Sequence, residues 1–374
     1  MIEPELPAIS EEILATIARE VPEYARPLEG SFGRGIKTGV TEALRQFVAL
    51  IRDPDADRAS GREVYIALGR GELVQGRTLD SLQSAYRVGA RVAWRRVAAA
   101  GRRAGLQAEV LSLLAESIFA YIDRLSADSV EGYAQAQSEQ EGERQRRRRA
   151  LAELLLREPP TEEADLRAAS RAAGWPLPRR AAALACPEEE LGRLRRRLPA
   201  DALVASVEGT GCAIVPDPEG PGRGEELSRA AEGSSTALGP PGGREELAAS
   251  WALARAALRA REGKALAAEG LLAVDEHLGE LLVAEARPIT ERIGARRLAS
   301  LDELTDKARA RMEETALAYL QRQGNAAAIA RALHLHPQTV RHRLARLRQL
   351  LGEQLDDPRA RFELEAALRA RATN

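Results

Sequence analysis

Gln321 to Gly352 reads QRQGNAAAIARALHLHPQTVRHRLARLRQLLG, and it holds six arginines but neither Asp nor Glu. The six are Arg322, Arg331, Arg341, Arg343, Arg346 and Arg348, in a chain whose 55 Lys and Arg balance 56 Asp and Glu. A local basic patch in a neutral protein points to a local anionic partner. Asn325 suits the N-cap of a short helix over Ala326 to Leu333. Ala330 is small where a second helix must cross, and Leu335 can plug the turn at His334 to His336. Pro337 suits the first position of the next helix, where its missing N–H has no helical partner. There Val340, Leu344, Leu347 and Leu351 recur at i, i+4, i+7 and i+11 as one apolar face. Gln338, His342, Ala345, Arg346 and Gln349 lie opposite, flanked by Thr339, Arg341, Arg343 and Arg348.

Two short helices, a tight turn and a polar, basic second helix describe a helix-turn-helix, whose second helix enters the DNA major groove. Gln338, Thr339 and His342 are expected to face base edges, and Arg341, Arg343 and Arg348 to meet phosphates. Arg346 points outward but lies a turn or more from the helix start. The plainer reading, a surface hairpin with a solvated arginine face, does not account for the missing acids or the spacing of small and apolar residues.

Glu313 to Ala370 resembles the C-terminal helix-turn-helix of the PucR/CdaR family of bacterial regulators. The resemblance rests on Gly324-Asn325, on IARALHLH at 329–336, on QTVRHRL at 338–344 and on LDDPRARFELEAALR at 355–369. Many members have Tyr where this chain has His342. The resemblance implies transcriptional regulation and double-stranded DNA as partner. It names neither an operator nor an effector.

Residues 8 to about 157 read as helix throughout. Ile9, Ile13, Ile17 and Val21 mark one helix, Val40 to Ile51 a second stopped at Asp53-Pro54, and Arg62 to Gly69 a third. Thr78 or Asp80 can cap a fourth, with Leu82, Ala85, Gly89, Val92, Ala93 and Val97 as its stripe. Gly89 inside that helix implies close approach of a neighbour. Arg87, Arg91, Arg95, Arg96, Arg102 and Arg103 stud the same helix, as an anionic-ligand site or, more plainly, as a solvated face. A further helix starts at Glu109, and Ser126 to Leu156 can continue it as a polar connector or dimer stalk. Arg146 to Arg149 could touch DNA but more plainly pair with nearby glutamates. The stretches at 76–94 and 116–134 resemble the helical N-terminal domain of RsbR-type stress regulators. That implies a sensory or dimerising module without haem, because no histidine precedes His277.

After Pro159-Pro160 the pattern changes. Thr161 is expected to cap a helix to Ala173. Arg180 to Cys186 reads as a buried strand. Leu203 to Val207 and Cys212 to Val215 read as a hairpin, and Thr236 to Leu238 as a further strand. Glu245 to Arg261, Leu271 to Glu285 and Thr290 to Arg309 read as helices. PucR/CdaR members carry a degenerate GGDEF-like domain here. Its catalytic form needs a Gly-Gly hairpin turn followed by metal-holding acids. Glu208-Gly209-Thr210-Gly211 lacks those acids, and Gly242-Gly243-Arg244-Glu245-Glu246 opens a helix instead. No phosphate-binding or nucleophile-elbow motif is present. Cys186 and Cys212 read as buried free thiols.

The expectation is a mainly α, multidomain chain. A helical sensor or dimerisation domain spans 1–157, a small α/β domain 161–300, and an all-α helix-turn-helix domain 301–374. It is expected to be a non-enzymatic, cofactor-free, cytoplasmic homodimer, without a membrane segment and with an effector left unnamed. The alternatives are a stress-signalling scaffold acting on protein partners and, on the middle domain, a nucleotide-cyclising enzyme.

Overall fold

The structure is a computed structural model, and it describes residues 2–25, 30–53, 59–263, 266 and 270–372. Two compact units divide the chain, Met1–Arg144 and Gln145–Asn374.

The first unit is helical: α1 (Leu6–Glu20), α2 (Gly30–Arg52), α3 (Ala59–Val74), α4 (Leu79–Arg103) and the start of α5 (Ala108–Leu155). The Ile9, Ile13, Ile17 stripe of α1 is buried against Ala85, Val88 and Val92 of α4. Thr78 holds the N-cap position of α4, but its hydroxyl meets Ser81 Oγ at 3.2 Å rather than a helix N–H. α2 ends at Arg52 as expected, and Pro54 of the expected stop lies outside the described residues. The close approach inferred at Gly89 is elsewhere. A Cβ on Gly89 would meet only Ile13 Cγ2, at 3.5 Å, an ordinary contact. The tight crossing is between α3 and α5. There a Cβ on Gly69 would lie 1.9 Å from Ser129 O, and one on Gly132 2.0 Å from Ile66 O. α5 runs unbroken for 48 residues, as the connector reading anticipates.

The second unit begins with the last turns of α5 and α6 (Glu163–Ala173). The expected Thr161 cap is not made, because Thr161 Oγ1 donates to Leu154 O at 2.9 Å and Glu162 precedes the helix without a side-chain cap. A five-stranded sheet follows in the order β2 (Leu203–Val207), β3 (Thr210–Pro216), β1 (Ala181–Cys186), β4 (Ser235–Leu238), β5 (Gly270–Ala273). Only the β4–β5 pair is parallel. The fifth strand corrects the reading of 271–285 as wholly helical. Four residues at a sheet edge are too short to show a period, and their partner lies 35 positions earlier in register. α7 (Leu191–Arg197) and α8 (Arg223–Ala230), which the sequence reading leaves unassigned, cover one face of the sheet. α9 (Leu247–Glu262) and the end of α5 cover the other.

Alternation along β1 follows from this sandwich. Ala183 and Ala185 face α9, Leu184 and Cys186 face α7 and α8, and all six residues are buried. Cys212 stands on the α9 side and Cys186 on the other, so both are free thiols. Burial pushes the Cys186 thiol up to about 12. In the Gly242–Glu246 segment the Glu246 carboxylate accepts from Gly243 N at 2.6 Å, so this acid serves the helix start. The chain then continues through α10 (Leu278–Glu285), α11 (Arg287–Arg297) and α12 (Ala299–Asp302). The run expected as one helix over Thr290 to Arg309 is thus broken at Leu298 and again before Thr305. α13 (Asp306–Gln321), α14 (Ala326–Ala332), α15 (Pro337–Leu351) and α16 (Pro358–Ala372) complete it. Among the described residues no helix is long and apolar enough to cross a membrane.

Candidate nucleic-acid interface

The start of α14 is set by Asn325, whose Oδ1 accepts from Ala327 N and Ala328 N, each at 3.1 Å. That satisfies two of the N–H groups a helix start leaves without partners. The turn after α14 is tight. His334 takes a left-handed φ of 51°, and Leu335 N returns to Ala330 O at 2.9 Å. His336 caps α15 through Nδ1, which accepts from Gln338 N at 3.3 Å, and Pro337 takes the first helical position.

Val340, Leu347 and Leu351 are buried in one cluster with Ile329, Ala330, Tyr319, Leu320, Leu364 and Leu368. Leu344 is half-buried at the edge of that cluster, so Leu347 rather than Leu344 centres the apolar stripe. Ion pairs fasten the outer helices. Arg371 reaches Asp302 at 2.7 Å and Glu313 at 2.6 Å. Arg296 and Arg297 reach Glu363 at 2.5 and 2.7 Å. The Arg371 hydrogen bond holds the Asp302 carboxyl below its ordinary range. Hydrogen bonds from Arg297 and Arg296 do the same for Glu363.

With one face of α15 committed to the core, the other is open. Gln338, Thr339, Arg341, His342, Arg346 and Arg348 are all exposed. Arg346 Nη1 donates to Gln349 Oε1 at 3.0 Å. Among the described residues no carboxylate pairs with Arg341, Arg346 or Arg348. Arg343, expected at the phosphate margin, is different. It is 17% exposed, and its Nη1 meets Glu314 Oε2 at 3.4 Å and Thr315 Oγ1 at 3.5 Å on α13. This brace spans 29 residues of sequence, and nothing in the local pattern signals it.

Residues 312–370 match the family described as the PucR C-terminal helix-turn-helix domain. Residues 1–156 match the PucR-like N-terminal domain, over the segment whose stretches resemble the RsbR-type domain. The chain is a PucR-family protein. The family and its helix-turn-helix make it a DNA-binding transcription regulator. The two matches leave the sheet of the PucR-family chain outside their span. A comparison with curated proteins gives no match. The crystal structure of a regulator of polyketide synthase expression from Bifidobacterium adolescentis aligns over 61% of this chain and 98% of its own. It does so at 20% identity and a TM-score of 0.31, and a likeness at that score supports neither fold nor function.

Proposed function

We propose that this PucR-family protein is a sequence-specific regulator that lays α15 in the major groove of double-stranded DNA. The observation that carries this is the division of α15 into a buried stripe and an open face of Gln338, Thr339, Arg341, His342, Arg346 and Arg348, with no carboxylate among the described residues pairing these three arginines. Gln338, Thr339 and His342, in the first turns, read base edges. Gln pairs bidentately with adenine, and Thr offers a hydroxyl and a methyl. Arg341 and Arg348 hold phosphates and set register without carrying sequence. Arg346 lies between the two roles. Arg343 keeps α15 seated on α13 and adds charge at the margin.

One helix-turn-helix offers few base contacts, so the active species is a homodimer on two half-sites about 34 Å apart. Residues 1–157 serve sensing and dimerisation, 161–300 regulation and 301–374 DNA binding. The chain works by binding rather than catalysis, and in the cytoplasm, where the DNA is.

The test titrates wild type and Gln338→Ala against a selected site and random duplex at several salt concentrations. A wild-type protein that prefers no sequence, or a Gln338→Ala protein that loses equally on both duplexes, overturns the reading. Light scattering that shows only monomer at micromolar concentration, with DNA present, overturns the dimer.

A further inference from the structure

The first unit contains a cavity of about 90 Å³ among its helices. Protein interiors hold few voids larger than a water molecule, so a space of this size calls for a reason. Its wall is carbon. Ile13, Ile36, Leu82 and Ile118 contribute aliphatic groups, and Phe47 and four tyrosines contribute rings. Tyr65 donates to Gly39 O at 3.3 Å, Tyr86 meets Ser129 Oγ at 2.7 Å, and Tyr121 donates to Gln46 Oε1 at 2.9 Å. Tyr24 interacts with the buried Glu72. The hydroxyls of Tyr65, Tyr86 and Tyr121 are thus engaged with protein groups.

Ala85, Gly89 and Ala93 recur every fourth residue along the cavity side of α4. Gly89 is the informative one. Glycine weakens a helix relative to alanine, and a Cβ here would fit at ordinary contact distance. Neither backbone conformation nor a neighbouring helix requires glycine at 89. Its absent side chain leaves space inside the unit. A second opening of about 330 Å³ shares Leu44, Phe47, Ala93 and Ile118 with the cavity, so the two spaces adjoin.

We propose that this cavity is a binding site for a small, uncharged, carbon-rich molecule, no larger than about a single six-membered ring. A charged or strongly hydrogen-bonding ligand would lose its water there and find no partner, whereas apolar cavities of this kind accept molecules such as benzene or xenon. Ile118, Tyr121, Ile122 and Leu125 of α5 form part of the wall. The same helix supplies Leu151, Ala152 and Leu155 to the core around the sheet. The site goes beyond the DNA-binding reading and stands or falls independently of it.

The test uses the full chain labelled with ¹³C at isoleucine δ1 methyls, with benzene as the probe. Methyl signals of Ile13, Ile17, Ile36, Ile118 and Ile122 shift on addition, while those of Ile214, Ile293 and Ile329 stay in place. Benzoate, of the same ring size but charged, moves none of them. Gly89→Leu, which puts a side chain into the space, abolishes the shifts, and Gly89→Ala reduces them. Benzene that moves no methyl, or moves those of both units alike, overturns the site. Benzoate that reproduces the benzene pattern overturns the ligand class. Should Gly89→Leu fail to fold, the wild-type methyl pattern and Gly89→Ala still decide the matter.

Discussion

Two helices of this protein are rich in arginine, and they use it in opposite ways. On α4, Arg87 meets Asp80 at 3.8 Å, Arg91 meets Glu20, Arg96 meets Glu12 at 2.6 Å and Arg103 meets Glu5 at 3.0 Å. Arg95 and Arg102 have no such carboxylate among the described residues. On α15, among the described residues, only Arg343 is paired with a carboxylate, while Arg341, Arg346 and Arg348 have none. Arginine density is therefore a poor guide to a nucleic-acid surface. The guide is whether the fold has already supplied the anion. On α4 two of the four carboxylates, Glu12 and Glu20, come from α1, the helix packed beside it. Over 321–352 the chain holds no carboxylate, and of the α15 arginines only Arg343 finds one elsewhere among the described residues, in Glu314.

The sharpest way to break this contrast is to unseat α15. Leu347 is fully buried at the centre of its cluster. Leu347→Ala should destabilise the C-terminal module by roughly 2–5 kcal/mol, read as melting followed by loss of DNA binding. Leu344→Ala at the half-buried edge should cost less than Leu347→Ala in the same melt. If the two substitutions cost the same, the stripe is rotated from the one described. Next in size is Gln338→Ala, which should cost about 1–3 kcal/mol on the preferred site and little on random duplex. Measured affinities that fall equally on both would move base reading away from the first turn of α15.

The arginines themselves give a smaller and more direct comparison. Arg348→Ala should flatten the dependence of log K on log salt by about 0.9 per protomer, as one phosphate contact is removed. Arg96→Ala, which breaks a pair with Glu12 on α1, should leave that slope unchanged. A slope that responds to Arg96 and not to Arg348 would reverse the assignment of the two surfaces.

How much of this could be read from the chain depended on the distance over which each signal acts. The Asn325 cap, Pro337 at the first position of α15 and the Val340, Leu347, Leu351 stripe are short-range features, and all were legible. So was the continuity of α5, since nothing between Glu109 and Leu155 breaks a helix. The parallel edge strand at 270–273 depends on a partner at 235–238, and its four residues carry no period of their own. Gly69 and Gly132 look like any helical glycine until α3 and α5 cross, whereas Gly89 invited a close-approach explanation that its neighbours do not support. The Arg343 brace to Glu314 and the α1 partners of the α4 arginines also depend on tertiary packing. Residue type showed that charge was present, and only the fold showed which charges were already answered.

The smallest expected effect is a titration that turns the α4 surface partway toward the unpaired condition of α15. Hydrogen bonding from Arg19, together with attraction and hydrogen bonding from Arg91, holds the Glu20 carboxyl below its ordinary value of 4.5. A carboxyl with a lowered folded pKa favours the folded state above its unfolded pKa, and that contribution fades as pH falls through the folded pKa. Glu20→Gln should therefore melt slightly below wild type at pH 7, and the gap should close only below about pH 4.5, within the acid range of Glu20 itself. Thermal melts of the two proteins between neutral pH and the acid limit of folding check this, with low salt used to limit screening of an exposed pair. A gap that closes near pH 6 would assign the effect to another group. A gap that persists after Glu20 has protonated would mean the substitution disturbs packing on α1 rather than charge. In either case the paired arginines of α4 would lose their role as the reference for the open ones on α15.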